Sequence, residues 1–251
     1  EYMKKHDGLL TVDDFTDYQV QVLEPARVTY RGHDILGIPV PSGGTTALET
    51  FNILENFDLG KFGHNSSEHL HILIESARHA LADRYHYLGD SDVVPVPMKG
   101  LLSREYAQDI AARIDLETAF FETERKRQPW ELYEQRALHD AWVYDPRSKP
   151  SNQFIPSPPS TEDCTTHFGI IDNDRNMVSC TQTAMNTFGS KVIAPGTGIL
   201  FTNGMAVFNP KPGAANSIAG YKRGLGNMVP SAPQSRDALR AQQRKTKADE
   251  V

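Results

Sequence analysis

The stretch Cys164-Thr165-Thr166-His167-Phe168-Gly169-Ile170-Ile171-Asp172 holds the most reactive arrangement in this sequence. A proline-rich segment ends there, at a threonine that opens a strand-like run. A cut between Cys164 and Thr165 would give Thr165 a free α-amine beside its own hydroxyl. The amine can then act as local base for a hydroxyl that is otherwise a poor nucleophile. An α-amine has a reference pKa of about 7.7–8.0, so a useful neutral fraction exists near neutral pH. The hydroxyl can also make the cut, by attacking the preceding carbonyl to give an ester that water opens. The competing explanation is plain β-propensity, since paired β-branched residues commonly open strands. On spacing alone that explanation is the stronger one.

Several elements have to position this segment. Thr11-Val-Asp-Asp14 reads as a helix start, because Thr and Asp side chains accept bonds from free N–H groups. Ala26 to Tyr30 and Asp34 to Val40 read as two strands joined through Arg31-Gly32-His33. The breaker cluster Pro39 to Gly44 follows, and Thr45 or Thr46 is the expected cap of the next helix, with Leu48, Phe51 and Leu54 on one side. Ser66 or Ser67 should cap a longer helix whose apolar residues Leu70, Leu73, Ile74, Ala77, Leu81 and Leu88 keep a helical period. Another helical stretch runs from about Ser103 to Arg113, and residues 115–144 read as helical or mixed. His167 to Asp172 and Met177 to Thr183 read as strands around Asn173-Asp174-Arg175-Asn176. After about Ala232 there are almost no large apolar residues, so that tail should be a solvated helix or disordered.

Composition narrows the function classes. The 251 residues are 39% hydrophobic and 23% charged, which suits a globular chain. No run of about 18 apolar residues is present, so no membrane-spanning helix is expected. A net charge of −6 argues against a nucleic-acid-binding face. Two cysteines, Cys164 and Cys180, allow one disulfide but not a disulfide scaffold, and the compartment stays open between cytoplasm and exterior. His64, His69, His71, His79 and His86 crowd one helix without zinc-site spacing, so no metal or other cofactor is expected. Ser42-Gly43-Gly44 lacks the lysine of a phosphate loop. Asp83 and Arg84 read as a structural ion pair, Cys164 as a spectator thiol, and Arg244 to Lys247 as part of a solvated tail.

The segment from Thr165 resembles the start of the small subunit in the γ-glutamyltransferase (glutathione hydrolase) family. The resemblance rests on Thr165-Thr166-His167-Phe168, the Thr181-x-Thr183 strand, Phe188-Gly189-Ser190, Thr197-Gly198-Ile199-Leu200 and Met205 to Phe208. Upstream, Tyr30-Arg31-Gly32, Pro41 to Gly44, Asn52 to Phe57, Ala82-Asp83-Arg84, Tyr87 to Asp90 and Leu101 to Ser103 resemble the end of the large subunit. Such ordered, separated matches are far more specific than one motif. They cover roughly residues 1–112 and 163–231.

The resemblance implies an α/β fold, the α/β/β/α four-layer sandwich of the N-terminal nucleophile (Ntn) hydrolases, incomplete in this chain. It implies large and small subunits from one precursor, autocleaved before Thr165. Thr165 would be nucleophile and processing residue, with Cys164 supplying the scissile carbonyl and Thr183 supporting Thr165. The family's substrate-contacting Asn falls at Met185, so Asn186 is the candidate, provided the backbone shifts locally to bring it off the opposite strand face. Asn203, Gly226 and Asn227 complete the substrate-binding set. The implied substrate is a small-molecule γ-glutamyl compound (glutathione) or related acyl amide. The acids that bind the α-amine in the family's γ-glutamyl enzymes are replaced in Asn203-Gly204-Met205-Ala206-Val207-Phe208, and Gly226-Asn227 stands where Ser-Ser usually precedes Met. The pattern is closer to the acylase-like branch. The Gly-Gly motif of the oxyanion hole and the substrate-binding Arg have no counterpart, so the chain reads as truncated at both ends. Four segments are expected: residues 1–144 from the large-subunit side, a linker over 145–164, a small-subunit segment over 165–231, and a polar tail over 232–251. The alternatives are a non-catalytic family fragment with only structural or subunit-interaction capacity, and a penicillin-acylase-like Ntn hydrolase.

Overall fold

The computed structural model describes residues 2–119, 140–147 and 164–235. The short helices α1 (Tyr2–Lys5) and α2 (Val12–Thr16) lead in. Thr11 and Asp14 cap α2 reciprocally, each side chain accepting from the other's backbone N–H. The strands β1 (Ala26–Tyr30) and β2 (His33–Gly37) form an antiparallel hairpin with Tyr30 opposite His33. Arg31 and Gly32 turn it with φ of 50° and 80°, the left-handed pair that matches the twist of the flanking strands.

Helix α3 (Gly44–Leu54) lies on this hairpin, with Leu48 packed against Val28 and Ile35. A side chain at Gly44 would collide with the backbone of Ile38, so glycine allows the helix to start this close to the sheet. Behind α3 stand α4 (Ser67–Tyr87), α5 (Met98–Leu101) and α6 (Arg104–Ala111). Ser66 caps α4 by accepting from His69 N, and Ser103 caps α6 by accepting from Tyr106 N. The main core gathers Ile53, Leu88, Val96, Leu101, Tyr106, Ile110 and Trp142. Within it sits a polar group: Glu49 and Asp83 are almost fully buried, and Tyr106 Oη donates to Asp83 Oδ2 at 2.5 Å.

Downstream, β3 (Cys164–Ile171) and β4 (Met177–Met185) form a two-stranded antiparallel ribbon. β5 (Ser231–Ser235) adds antiparallel to β2, giving the sheet order β1-β2-β5. The chain is thus a partial α/β fold, helices on one sheet with a second strand pair beyond it.

Several expectations need correction. The face of α4 carrying Leu70, Leu73 and Ile74 is exposed, while Ile72, Ser76, His79, Ala80 and Asp83 face inward. Helical period alone chose the wrong stripe, because this helix packs through small and hydrogen-bonded side chains rather than leucines. Thr45 does not cap α3; it is fully buried in the first turn and its hydroxyl donates to Met98 Sδ at 3.7 Å. Asp83 and Arg84 do not pair, since neighbours on a helix diverge; Asp83 meets Tyr106 and Arg84 reaches residues 225–227. The tail expected from 232 begins as strand: β5 needs only backbone bonds, and Pro233 is tolerated at a sheet edge. Most of the helical or mixed 115–144 segment, most of the linker, and the tail beyond 235 lie outside the described residues.

Candidate active site

The ribbon register places Thr165 opposite Thr183, and Thr165 Oγ1 donates to Thr183 Oγ1 at 3.1 Å. A register irregularity falls between Cys164 and Thr165, at the bond expected to be cut. The turn at the far end fixes this register. Asp172 accepts from Asp174 N at 2.9 Å and from the backbone and side chain of Asn176, each at 2.8 Å. The Asn176 side-chain and backbone bonds hold the Asp172 carboxyl below its ordinary pKa. Two register steps inward, His167 Nδ1 lies 2.7 Å from Thr181 Oγ1.

Thr183 Oγ1 accepts a second bond, from Met185 N at 2.9 Å. Its oxygen is thereby anchored to the backbone while it accepts from the Thr165 hydroxyl. Thr165 itself is exposed. Met185 ends β4 with φ of 72°, so the strand alternation stops there and Asn186 leaves the strand face.

The loop after Met185 is unusually bent, with Phe188, Gly189 and Lys191 at φ of 59°, 51° and 61°. Such clustered left-handed residues recur where a site imposes strain. Ser190 N donates to Phe201 O at 2.9 Å, and Asn203 N donates to Ala184 O at 3.0 Å, drawing the 199–203 segment alongside. A cavity of about 510 Å³ results, lined by Asn186, Phe188, Ser190, Lys191 and Asn203 among others. Thr165, Thr183, Asn186 and Asn203 therefore gather around the end of one ribbon.

Gly226 and Asn227 belong to a second cluster, built on upstream residues. Gly226 N donates to Pro41 O at 2.8 Å, and Met228 O accepts from Ser42 Oγ at 2.7 Å and Gly43 N at 2.9 Å. The buried Arg84 donates through Nη2 to Gly226 O at 2.8 Å and Asn227 Oδ1 at 2.7 Å. Burial pushes its guanidinium below the ordinary value, though an Arg stays protonated in a protein. Just before this loop, Arg223 forks onto Asp90, with Nη2 at 2.5 Å from Oδ1 and Nε at 3.1 Å from Oδ2. Desolvation opposes the Asp90 charge, but the Arg223 side-chain and backbone bonds outweigh it and leave the carboxyl below its usual range. Asn216 adds a brace, accepting from Leu225 N at 3.0 Å and donating to Val207 O at 2.6 Å.

Sequence reading missed Arg84, Arg223 and Asn216 as organisers of the Gly226 loop. The only trace was that Ala82-Asp83-Arg84 and Tyr87 to Asp90 stood among the matching motifs. Among the described residues, no group of three His, Cys, Asp or Glu side chains converges as a metal site. No helix there is long and apolar enough to cross a membrane.

Comparison with known proteins gives this geometry its context. Residues 1–237 match the family model for gamma-glutamyltranspeptidase. The glutathione hydrolase proenzyme of Escherichia coli (strain K12) is 34% identical over 242 residues, 91% of this chain and 37% of that protein. The Acylase ACY 1 proenzyme of Pseudomonas sp. (strain SE83) is 33% identical over 231 residues, 92% of this chain and 36% of that protein. The crystal structure of cephalosporin acylase from Bacillus halodurans superposes with a TM-score of 0.69 at 26% identity, over 94% of this chain and 37% of that one. This chain thus spans little more than a third of the length of these relatives. Its fold is part of the α/β/β/α sandwich of the Ntn hydrolases, and the similarity extends to glutathione hydrolases and acylases alike. On the match of residues 1–237 and on these identities, the chain belongs to the gamma-glutamyltranspeptidase family.

Proposed function

We propose that this chain carries the processing and acyl-transfer threonine of an amidohydrolase or acyltransferase. The observation that carries the reading is the 3.1 Å bond from Thr165 to Thr183 at the exposed start of β3. Thr165 Oγ1 attacks the Cys164 carbonyl, the Cys164–Thr165 C–N bond breaks as the hydroxyl proton passes to the departing nitrogen, and water opens the resulting ester to a Cys164 carboxyl and a free Thr165 hydroxyl. The new α-amine then takes the hydroxyl proton as Thr165 attacks a substrate amide. The leaving amine departs with a proton, and the acyl-enzyme ester passes its acyl group to water or to an amino acid. Residues 1–144 would belong to the large subunit, 145–164 to the linker, and 165–231 to the small subunit, followed by the tail 232–251.

The names of the relatives support two substrate classes, γ-glutamyl compounds such as glutathione and other acyl amides. The chain's own sequence favours the second. Gly204-Met205-Ala206-Val207 carries no carboxylate to receive a substrate ammonium, and a cation desolvated without a partner is penalised. Asn186 and Asn203 would line the acyl pocket, and Gly226 and Asn227 would complete the substrate-binding set.

The test is Thr165→Ala in the full-length protein, read by denaturing electrophoresis with intact mass. The expected result is an uncut Thr165→Ala chain beside a wild type split before residue 165. Continued self-cleavage of the variant at this bond would overturn the nucleophile assignment.

A further inference from the structure

Three motifs of this sequence take no part in the Thr165 cluster: Tyr30-Arg31-Gly32, Asn52 to Phe57 and Leu101 to Ser103. The fold brings them to one polar cavity of about 200 Å³, lined by Thr29, Asn52, Glu55, Asn56, Arg104 and Gln108. It lies between the C-terminal end of α3 and the N-terminal end of α6, with β1 as a wall. It shares no lining residue with the cavity at Asn186 and Asn203.

Existing bonds decide what each side chain has left to offer. Asn52 is 6% exposed and gives Nδ2 to Leu102 O at 2.9 Å, which leaves its amide oxygen. Asn56 gives Nδ2 to Asn52 O at 2.9 Å and Ile53 O at 3.1 Å, so it too offers an oxygen. Glu55 Oε2 accepts from Arg31 N at 2.9 Å, and Oε1 is left. Three acceptors, one of them charged, therefore border one space. The donors are the Arg104 guanidinium and the Gln108 amide, neither with a side-chain partner among the described residues. Glu55 and Arg104 thus share a small cavity without forming an ion pair. Each also has the wrong sign for its helix end. Glu55 follows the last residue of α3, where the helix is partially negative, and Arg104 opens α6, where it is partially positive.

We propose that this cavity binds a small zwitterion, a free α-amino acid. Its ammonium meets Glu55 and the Asn52 and Asn56 oxygens, and its carboxylate meets Arg104 and Gln108. An ammonium has three N–H donors, one for each acceptor. Both ligand charges then make charge-assisted bonds, and both carry the sign that the adjacent helix end favours. Drug-sized ligands take about 300–1,000 Å³, so the smaller space here suits a molecule of few atoms. An occupant would touch α3, α6 and β1 together and brace them. None of this depends on the role of Thr165.

The test is calorimetry on the full-length protein with three probes: L-alanine (both charges), propionate (carboxylate alone) and ethylamine (ammonium alone). L-alanine should bind, and each single-charge probe should bind about tenfold more weakly or worse. Arg104→Met and Glu55→Gln should each weaken L-alanine by about tenfold, with Arg104→Lys recovering part of the loss. Both residues are exposed, and Glu55→Gln keeps an oxygen for Arg31 N, so the thermal midpoint without ligand should stay at the wild-type value. L-alanine should raise that midpoint in wild type and not in the two weakened variants. Absence of L-alanine binding at millimolar concentrations would overturn the proposal, as would propionate binding as tightly as L-alanine. So would L-alanine binding that is unchanged in Arg104→Met and Glu55→Gln, because the amino acid would then sit elsewhere on the protein.

Discussion

Thr165 and Thr183 are register partners across an antiparallel ribbon, joined hydroxyl to hydroxyl at 3.1 Å. The second hydroxyl is fixed in turn by the N–H of Met185 at 2.9 Å, at the residue where the strand breaks. A side chain with rotational freedom is thus held in one orientation by a partner that is itself anchored. Thr183→Val keeps the β-branched shape and removes only the acceptor. We expect the rate of self-cleavage, followed as a time course on denaturing gels, to fall by about tenfold. An unchanged rate would show that the bond does not orient Thr165.

Asp90 and Arg223 fasten the loop that leads to Gly226. The Asp90 side chain is 1% exposed and that of Arg223 36%, so truncating the acid removes the buried half of the pair and leaves Arg223 with Asp92 at 2.6 Å and solvent. Asp90→Ala should cost about 3 kcal/mol in thermal unfolding, at the low end for a broken buried pair because Arg223 can still reach solvent. A loss within the range of ordinary surface substitutions would mean that the pair is not a fastening point.

Glu49 gives the fold a stability that declines with rising pH. Burial, then the Asp83 charge and the hydrogen bond to Asp83, push its pKa well above the usual carboxylate value. In the unfolded chain the same group titrates near about 4.3. Its contribution is complete below that value and shrinks as pH rises toward the folded pKa, because only the unfolded state gives up the proton. Glu49→Gln should flatten the slope of denaturant stability between about pH 5 and 8. A slope identical to wild type would show that the proton is not retained on Glu49.

Asp145 acts in the opposite direction. The Arg147 side-chain bond, with Arg147 N and Gly100 N also donating, outweighs burial and lowers its pKa to about 2. Its contribution is complete above the unfolded value of about 3.9 and is lost as pH falls toward about 2. Acid unfolding followed by circular dichroism should therefore be less steep between those limits in Asp145→Asn. Superimposable acid curves for variant and wild type would contradict this.

Strands and helix caps were legible because they rest on local chemistry. Ser66, Ser103 and Thr11 cap where their hydroxyls can accept from the third residue on, and the hairpin at Arg31-Gly32 follows from backbone sterics. The pairing of Thr165 with Thr183 was expected from resemblance and could not come from local preference, since register depends on the distant Asp172 turn. Arg84 shows the limit most clearly. Its partners lie 141 to 143 positions away, and nothing in Ala82-Asp83-Arg84 says which neighbour it will meet. The exposed leucines of α4 show the converse, a perfect periodicity on a face this chain does not bury.

The sheet order β1-β2-β5 has a consequence for assembly. A cut before Thr165 would leave β1 and β2 in one polypeptide and β5 in another, yet all three share one hydrogen-bond ladder. A first piece made alone would display the outer rim of β2 uncovered, from His33 to Gly37, an invitation to aggregate. Synthesis as one polypeptide tethers the missing strand at high local concentration. Scission would then come after docking, and two separately expressed halves should mix poorly unless refolded together.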